Sequence, residues 1–112
     1  DRVAAFLESA GARVADLDPD AVPLVVGHLG DGNLHYAVRL GRDEDARADA
    51  VMEAVEDVVL TLGGSFSAEH GIGLTKRPSM ARRKDPGALA AMRAIKAALD
   101  PAGIMNPGKL LP

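Results

Sequence analysis

Residues 21–40 read AVPLVVGHLGDGNLHYAVRL, and this stretch decides the fold. Ala21 to Leu29 is dominated by Val, Leu and Pro and reads as a buried strand. A second strand reads from Leu34 to Leu40, and only Gly30-Asp31-Gly32-Asn33 lies between the two. Two apolar runs joined by a short Gly/Asp/Asn segment predict an antiparallel hairpin. With Gly30 to Asn33 as a four-residue loop, Leu29 faces Leu34 and His28 faces His35. Opposed residues point to the same face with Cβ atoms about 4.5–5.5 Å apart, which lets two imidazoles chelate one divalent ion. The bland alternative is two histidines paired by chance in a hairpin.

Upstream, Val3, Phe6, Leu7 and Ala10 recur at helical spacing, and Gly11 stands where a C-cap is expected. A polar turn, Asp16 to Asp20, separates that helix from the first strand. The opening Asp1-Arg2 lacks an initiator Met and already reads as helix, as expected of a cut inside a larger protein or of a trimmed or disordered start. Downstream, Gly41 closes the hairpin and Asp43 can cap the next helix, whose stripe of Ala48, Val51, Met52, Val55, Val58, Val59 and Leu62 is stopped by Gly63-Gly64. Ser65 to Glu69 reads as short and extended. Asp85-Pro86 supplies an N-cap with proline at the first helical position, opening a helix that carries Leu89, Met92, Ile95, Ala98 and Leu99. The tail from Gly103 to Pro112 reads as irregular. The order helix, hairpin, helix, strand, helix predicts an α+β fold. It would be a small antiparallel sheet with helices packed on one face, a ferredoxin-like split βαβ fragment with a C-terminal helix and irregular tail.

Composition narrows the function classes. The 112 residues make one small domain, and 47% are hydrophobic, so a single core can form. Phe6, Tyr36 and Phe66 are the only aromatic residues, so the core is aliphatic and a stacking platform for nucleic acid is not expected. Net charge is −3 with both signs interspersed. The one basic cluster, Lys76-Arg77 with Arg82-Arg83-Lys84, reads as a solvated loop or helix end ahead of a general anion site. There is no Cys, which removes disulfides and cysteine-ligated zinc and fits a reducing cytoplasm. No apolar run approaches the ~20 residues of a membrane span, and no signal peptide is seen.

The second chemical element is Glu69-His70-Gly71-Ile72-Gly73. A carboxylate that completes a two-histidine set is a familiar ligand mix for Zn, Mn or Fe. All three histidines lie in the two glycine-rich turns. Neighbouring side chains diverge from an extended backbone, so of Glu69 and His70 one would bind metal and the other handle a proton. The plainer reading is an acidic helix start. Gly71 to Lys76 lacks the spacing of a Walker loop, and Gly30-Asp31-Gly32 has no third glycine opening a helix, so both nucleotide readings are set aside.

Taken together, Gly27 to His35, Ser67 to Lys76, and Leu99-Asp100-Pro101 through Asn106-Pro107-Gly108-Lys109 resemble the C-terminal domain of FAD-linked oxidases. That group includes D-lactate dehydrogenase, the glycolate oxidase flavin subunit and D-2-hydroxyglutarate dehydrogenase. Pro86-Gly87-Ala88-Leu89 looks closest to the last type. The resemblance implies His28, His35 and Glu69 as ligands of a divalent metal, Zn or Mn, and His70 as the base. It places Asn33 near flavin and substrate, and Asn106 and Lys109 on a tail returning towards the flavin. It also implies FAD held mainly by an N-terminal domain that nothing in residues 1–112 resembles, a small 2-hydroxy-acid substrate and a separate electron acceptor. The fragment alone is then expected to be inactive, cytoplasmic or peripheral at the membrane, and prone to self-association. Ala37 departs from the Asn that some hydroxyglutarate-oxidising relatives carry, which puts the substrate in question but not the chemistry. Two rivals remain: a non-enzymatic metal-binding or interaction domain, and a flavin-free hydrolase using the same two-histidine, one-carboxylate site.

Overall fold

Phe6, Ala10 and Val14 are buried one turn apart along α1 (Val3–Leu17), and this stripe carries the helix straight through Gly11. The expected stop at Gly11 does not occur, because the buried positions on either side of it outweigh the ~1 kcal/mol that a mid-helix glycine forfeits. The computed structural model describes residues 2–42 and 45–112; the cap expected at Asp43 lies outside the described residues. The remaining elements are strands β1 (Val22–His28) and β2 (Asn33–Arg39) and helices α2 (Asp45–Thr61), α3 (Arg77–Arg83) and α4 (Pro86–Leu99). They divide into two compact units, one ending at Ala68 and one running from Glu69 to Pro112.

In the first unit β1 and β2 form a two-stranded antiparallel sheet, so the α+β class and its small antiparallel sheet stand as read from sequence. The register pairs Val26 with His35, Gly27 with Leu34 and His28 with Asn33. His28 is therefore not directly opposite His35, and the loop is Leu29 to Gly32 instead of Gly30 to Asn33. The turn chemistry explains the choice. Gly32 sits at φ 68°, the amide of Asn33 donates to Asp31 Oδ1 at 3.3 Å, and Asp31 donates to the His28 carbonyl at 3.4 Å. Glycine takes the left-handed position at no steric penalty, and Asn33 is freed to open the strand.

One face of the sheet meets α1 through Phe6 and Tyr36, whose rings lie edge to face with centroids 5.3 Å apart. The Tyr36 hydroxyl is buried with no hydrogen-bond partner among the described residues, and burial pushes its phenol above the ordinary range. The unit's core lies between α1 and α2, where Val51 and Ala54 are buried with the α1 stripe. Asp18 closes the unit at the other end of α1. Its carboxylate accepts from the amides of Gly41 at 2.9 Å and Asp20 at 3.1 Å, tying the end of the hairpin to the end of the helix. These bonds, the Gly41 one foremost, hold its carboxyl below the usual aspartate range. α2 stops as expected: Gly63, at φ 72°, and Gly64 donate back to Leu60 and Val59 in a Schellman pattern.

In the second unit Asp85 caps α4, accepting from the Ala88 amide at 2.8 Å. The short helix α3 was not foreseen. Its basic residues read as a solvated loop or helix end, and Arg82 and Arg83 do stand in its last turn; Pro78 at the first turn is the signal for the helix itself, in which Ser79 and Met80 are buried. Ser65 to Glu69 is not a strand but an irregular stretch with bends. The interspersed charge of the whole sequence also resolves by unit: residues 69–112 hold eight Lys/Arg against three Asp/Glu, and residues 1–68 hold five against thirteen.

Candidate active site

The register places His28, Asn33 and His35 on one face of the sheet, the face away from Tyr36. Moving the pairing by two residues keeps side-chain parity, so the two imidazoles stay on the same face while the separation becomes diagonal. Diagonal neighbours stand ~7–8 Å apart, still within reach of long side chains. The same face carries Val22, Leu24, Val26 and Ala37, and it is open: Leu24 is 63% and Val26 65% exposed. Gly27 is required beside this site, because a Cβ there would stand 2.3 Å from the Asn33 carbonyl oxygen and 2.9 Å from Leu34 Cα.

In the second unit, Glu69 Oε2 lies 3.7 Å from His70 Nε2, an ion-pair distance when the ring is protonated. The divergence expected of neighbouring side chains does not hold, because the chain bends at Ala68, Glu69 and His70 and is not extended. Gly71 and Gly73 both take positive φ, 68° and 57°, and carry the chain from this bend towards α3.

Sequence reasoning missed how the tail is held. It has no regular structure, as expected, yet it is anchored to its own unit. Asp100, 7% exposed, accepts from the amides of Ile104 at 2.9 Å and Met105 at 3.0 Å and from Lys96 Nζ. The Lys96 contact, followed by these amides, holds the Asp100 carboxyl below its ordinary value despite burial. Arg77 Nε donates to the Leu111 carbonyl at 3.1 Å. Between α4 and the tail runs an apolar groove of about 280 Å³ lined by Met92, Ile95, Leu99, Met105, Leu110 and Leu111 with the Lys96–Asp100 pair. The signal was present: an acid directly after the last helical residue can accept the amides of a turning chain.

Two imidazoles on one hairpin face of the first unit and, in the second unit taken by itself, a carboxylate–imidazole pair at a bend are the candidate chemical groups of this α+β chain. The chain belongs to the family of FAD linked oxidases, C-terminal domain, which matches residues 1–110. It is 40% identical to D-2-hydroxyglutarate dehydrogenase of Stutzerimonas stutzeri, over 97% of this chain and 25% of that protein. It is also 40% identical to a probable mitochondrial D-lactate dehydrogenase of Danio rerio, over 78% of this chain and 18% of that one. With glycolate oxidase subunit GlcD of Bacillus subtilis the identity is 38%, over 75% of this chain and 18% of that protein. The chain thus spans about a quarter or less of the length of these relatives. Among the described residues no helix is long and apolar enough to cross a membrane.

Proposed function

We propose that this chain is the C-terminal, substrate-side part of a flavin-dependent enzyme that oxidises a small 2-hydroxy acid, such as D-lactate, glycolate or D-2-hydroxyglutarate, to the 2-oxo acid. The observation that carries the reading is the hairpin face bearing His28, Asn33 and His35 together in a chain of this family. Two imidazoles on one face fit a divalent cation of the Zn or Mn kind, with Glu69 proposed as the charged third ligand on the strength of the resemblance. Such a cation, when bound, polarises a hydroxyl or carboxylate oxygen and makes the hydroxyl more acidic. FAD, held mainly by a domain outside this chain, supplies the two-electron acceptor.

The chain's own residues then have separate tasks. His28, His35 and Glu69 orient the acid's hydroxyl and carboxylate end. His70 takes the hydroxyl proton on a ring nitrogen. Asn33 lies on the same face as the two imidazoles and is proposed to contact flavin or substrate with its amide, and Asn106 and Lys109 approach the flavin from the tail. Residues 1–112 alone hold half of such a site and are expected to be inactive. A cytoplasmic location, a separate electron acceptor and self-association of the isolated chain belong to the same proposal.

The deciding experiment expresses a protein in which this chain is joined to its flavin-binding part. Anaerobic addition of D-lactate, glycolate, D-2-hydroxyglutarate or D-malate should bleach the flavin with at least one acid. Flavin that stays oxidised with all four, while metal-loaded and flavin-free protein cleaves simple esters, would replace this reading with a hydrolase.

A further inference from the structure

The tail of the second unit holds one residue in the left-handed conformation that glycine usually takes. Asn106 sits at φ 47°, the only non-glycine residue with positive φ among the described residues. Glycine takes this conformation without strain; asparagine is among the side-chain-bearing residues that take it most readily, and here its surroundings hold it there. Those surroundings are visible on both sides. Met105, the preceding residue, is gripped at both polar groups: its amide donates to Asp100 Oδ2 at 3.0 Å, and its carbonyl accepts from Lys96 Nζ. With that carbonyl fixed, the plane of the peptide entering Asn106 is fixed too. On the far side Lys109 donates to the Asn106 carbonyl at 3.2 Å, closing a turn in which Gly108 takes φ 68°. The end of the tail is tied down again by Arg77 at Leu111. The amide side chain of Asn106 is thereby carried on a backbone that is held on both sides.

We infer that Lys96 and Asp100 are positioning residues that hold Asn106 in its left-handed conformation so that its side-chain amide is presented at a fixed place to the flavin side of the active site. This rests on the proposed function, in which the tail approaches the flavin. No contact with substrate is assigned to Lys96 or Asp100. They act through Asn106, by way of the two polar groups of Met105. A displacement of about 1 Å at a positioned group can lower a rate by about 100-fold.

The test uses the complete flavoenzyme and the acid that bleaches it. Asp100→Asn keeps the shape but removes the charge paired with Lys96; Asn106→Gly keeps the backbone and removes the amide. Lys96→Met frees the Met105 carbonyl while leaving both Asp100 amide bonds, so it serves if Asp100→Asn does not fold. The limiting rate of flavin reduction should fall by roughly 10- to 100-fold in Asn106→Gly and in the clamp variant, with the apparent dissociation constant of the acid little changed. Combining the two changes should add no further loss, since both act on one side chain. A clamp variant that melts earlier yet reduces flavin at the wild-type rate overturns the inference, as does a double variant whose losses multiply. Either result leaves the proposed function intact. If wild-type flavin is reduced by no 2-hydroxy acid, the proposed function fails and the positioning role falls with it.

Discussion

At the scale of single residues, Glu69 and His70 are neighbours whose functional atoms converge within 3.7 Å, so geometry no longer separates their roles and substitution must. In the proposed flavoenzyme Glu69→Ala should lose metal, measured by elemental analysis, because the charged ligand proposed for it is removed. His70→Ala should keep its metal and slow flavin reduction by roughly 10²–10⁴-fold, the usual contribution of a general base. Metal loss in His70→Ala with retention in Glu69→Ala would exchange the two assignments. Asp18 offers a test free of catalysis. Its folded value lies below the 3.8 of a free carboxyl, chiefly because the Gly41 amide favours the ionised form. The unfolded chain therefore takes up the proton first as pH falls, and the stabilisation, complete above the free value, is lost as pH drops through the folded value. Asp100 adds to stability with the same sign. Urea midpoints measured from about pH 6 down to about pH 3 should fall less steeply in Asp18→Asn than in wild type.

At the scale of elements, two glycines in one hairpin have opposite tolerance. Gly27→Ala would drive a Cβ onto the backbone of β2, at 2.3 Å from the Asn33 oxygen, and should destabilise by about 1–3 kcal/mol or break the ladder where His28 and Asn33 pair. Nothing lies within 4 Å of a Cβ on Gly30, and its φ is not positive, so Gly30→Ala should be near neutral. In α1, Gly11→Ala meets open space in a helix interior and should stabilise by about 0.5–1 kcal/mol. Chemical denaturation of the three variants checks all of this; a Gly27→Ala protein as stable as wild type would contradict the register.

For the whole molecule, each unit leaves large apolar side chains in solvent. Leu24, Val26 and Leu29 are exposed on the hairpin; Ile95, Leu99 and Ile104, the last two at 76% and 78%, are exposed on α4 and the tail. Apolar surface of this kind drives association of an isolated chain. Sedimentation velocity of residues 1–112 should show concentration-dependent oligomers. Leu99→Glu with Ile104→Glu should shift them towards monomer without changing helical circular dichroism. A wild-type chain that stays monomeric at high concentration would remove this expectation.

The sequence by itself determined the hairpin, the helices α2 and α4 with the stop of the one and the cap of the other, the α+β class and the family. Each of these is written in near neighbours: apolar periodicity, Gly63-Gly64 after a stripe, Asp85-Pro86 before one, and three motifs in order. The candidate residues were legible for the same reason, though their roles came from the resemblance. The tertiary structure alone decided the pairing of His28 with Asn33, because both registers put the same side chains on the same face and alternation cannot distinguish them. It also carried α1 past Gly11, since burial of Val14 against the rest of the unit outweighs a local glycine signal. It made α3 a helix and fixed the tail, whose carboxylate–amide bonds to Asp100 form only once the chain has turned back on the end of α4. Periodicity reports which face a residue takes. Which partner it meets there depends on hydrogen bonds and burial that exist only in the folded chain.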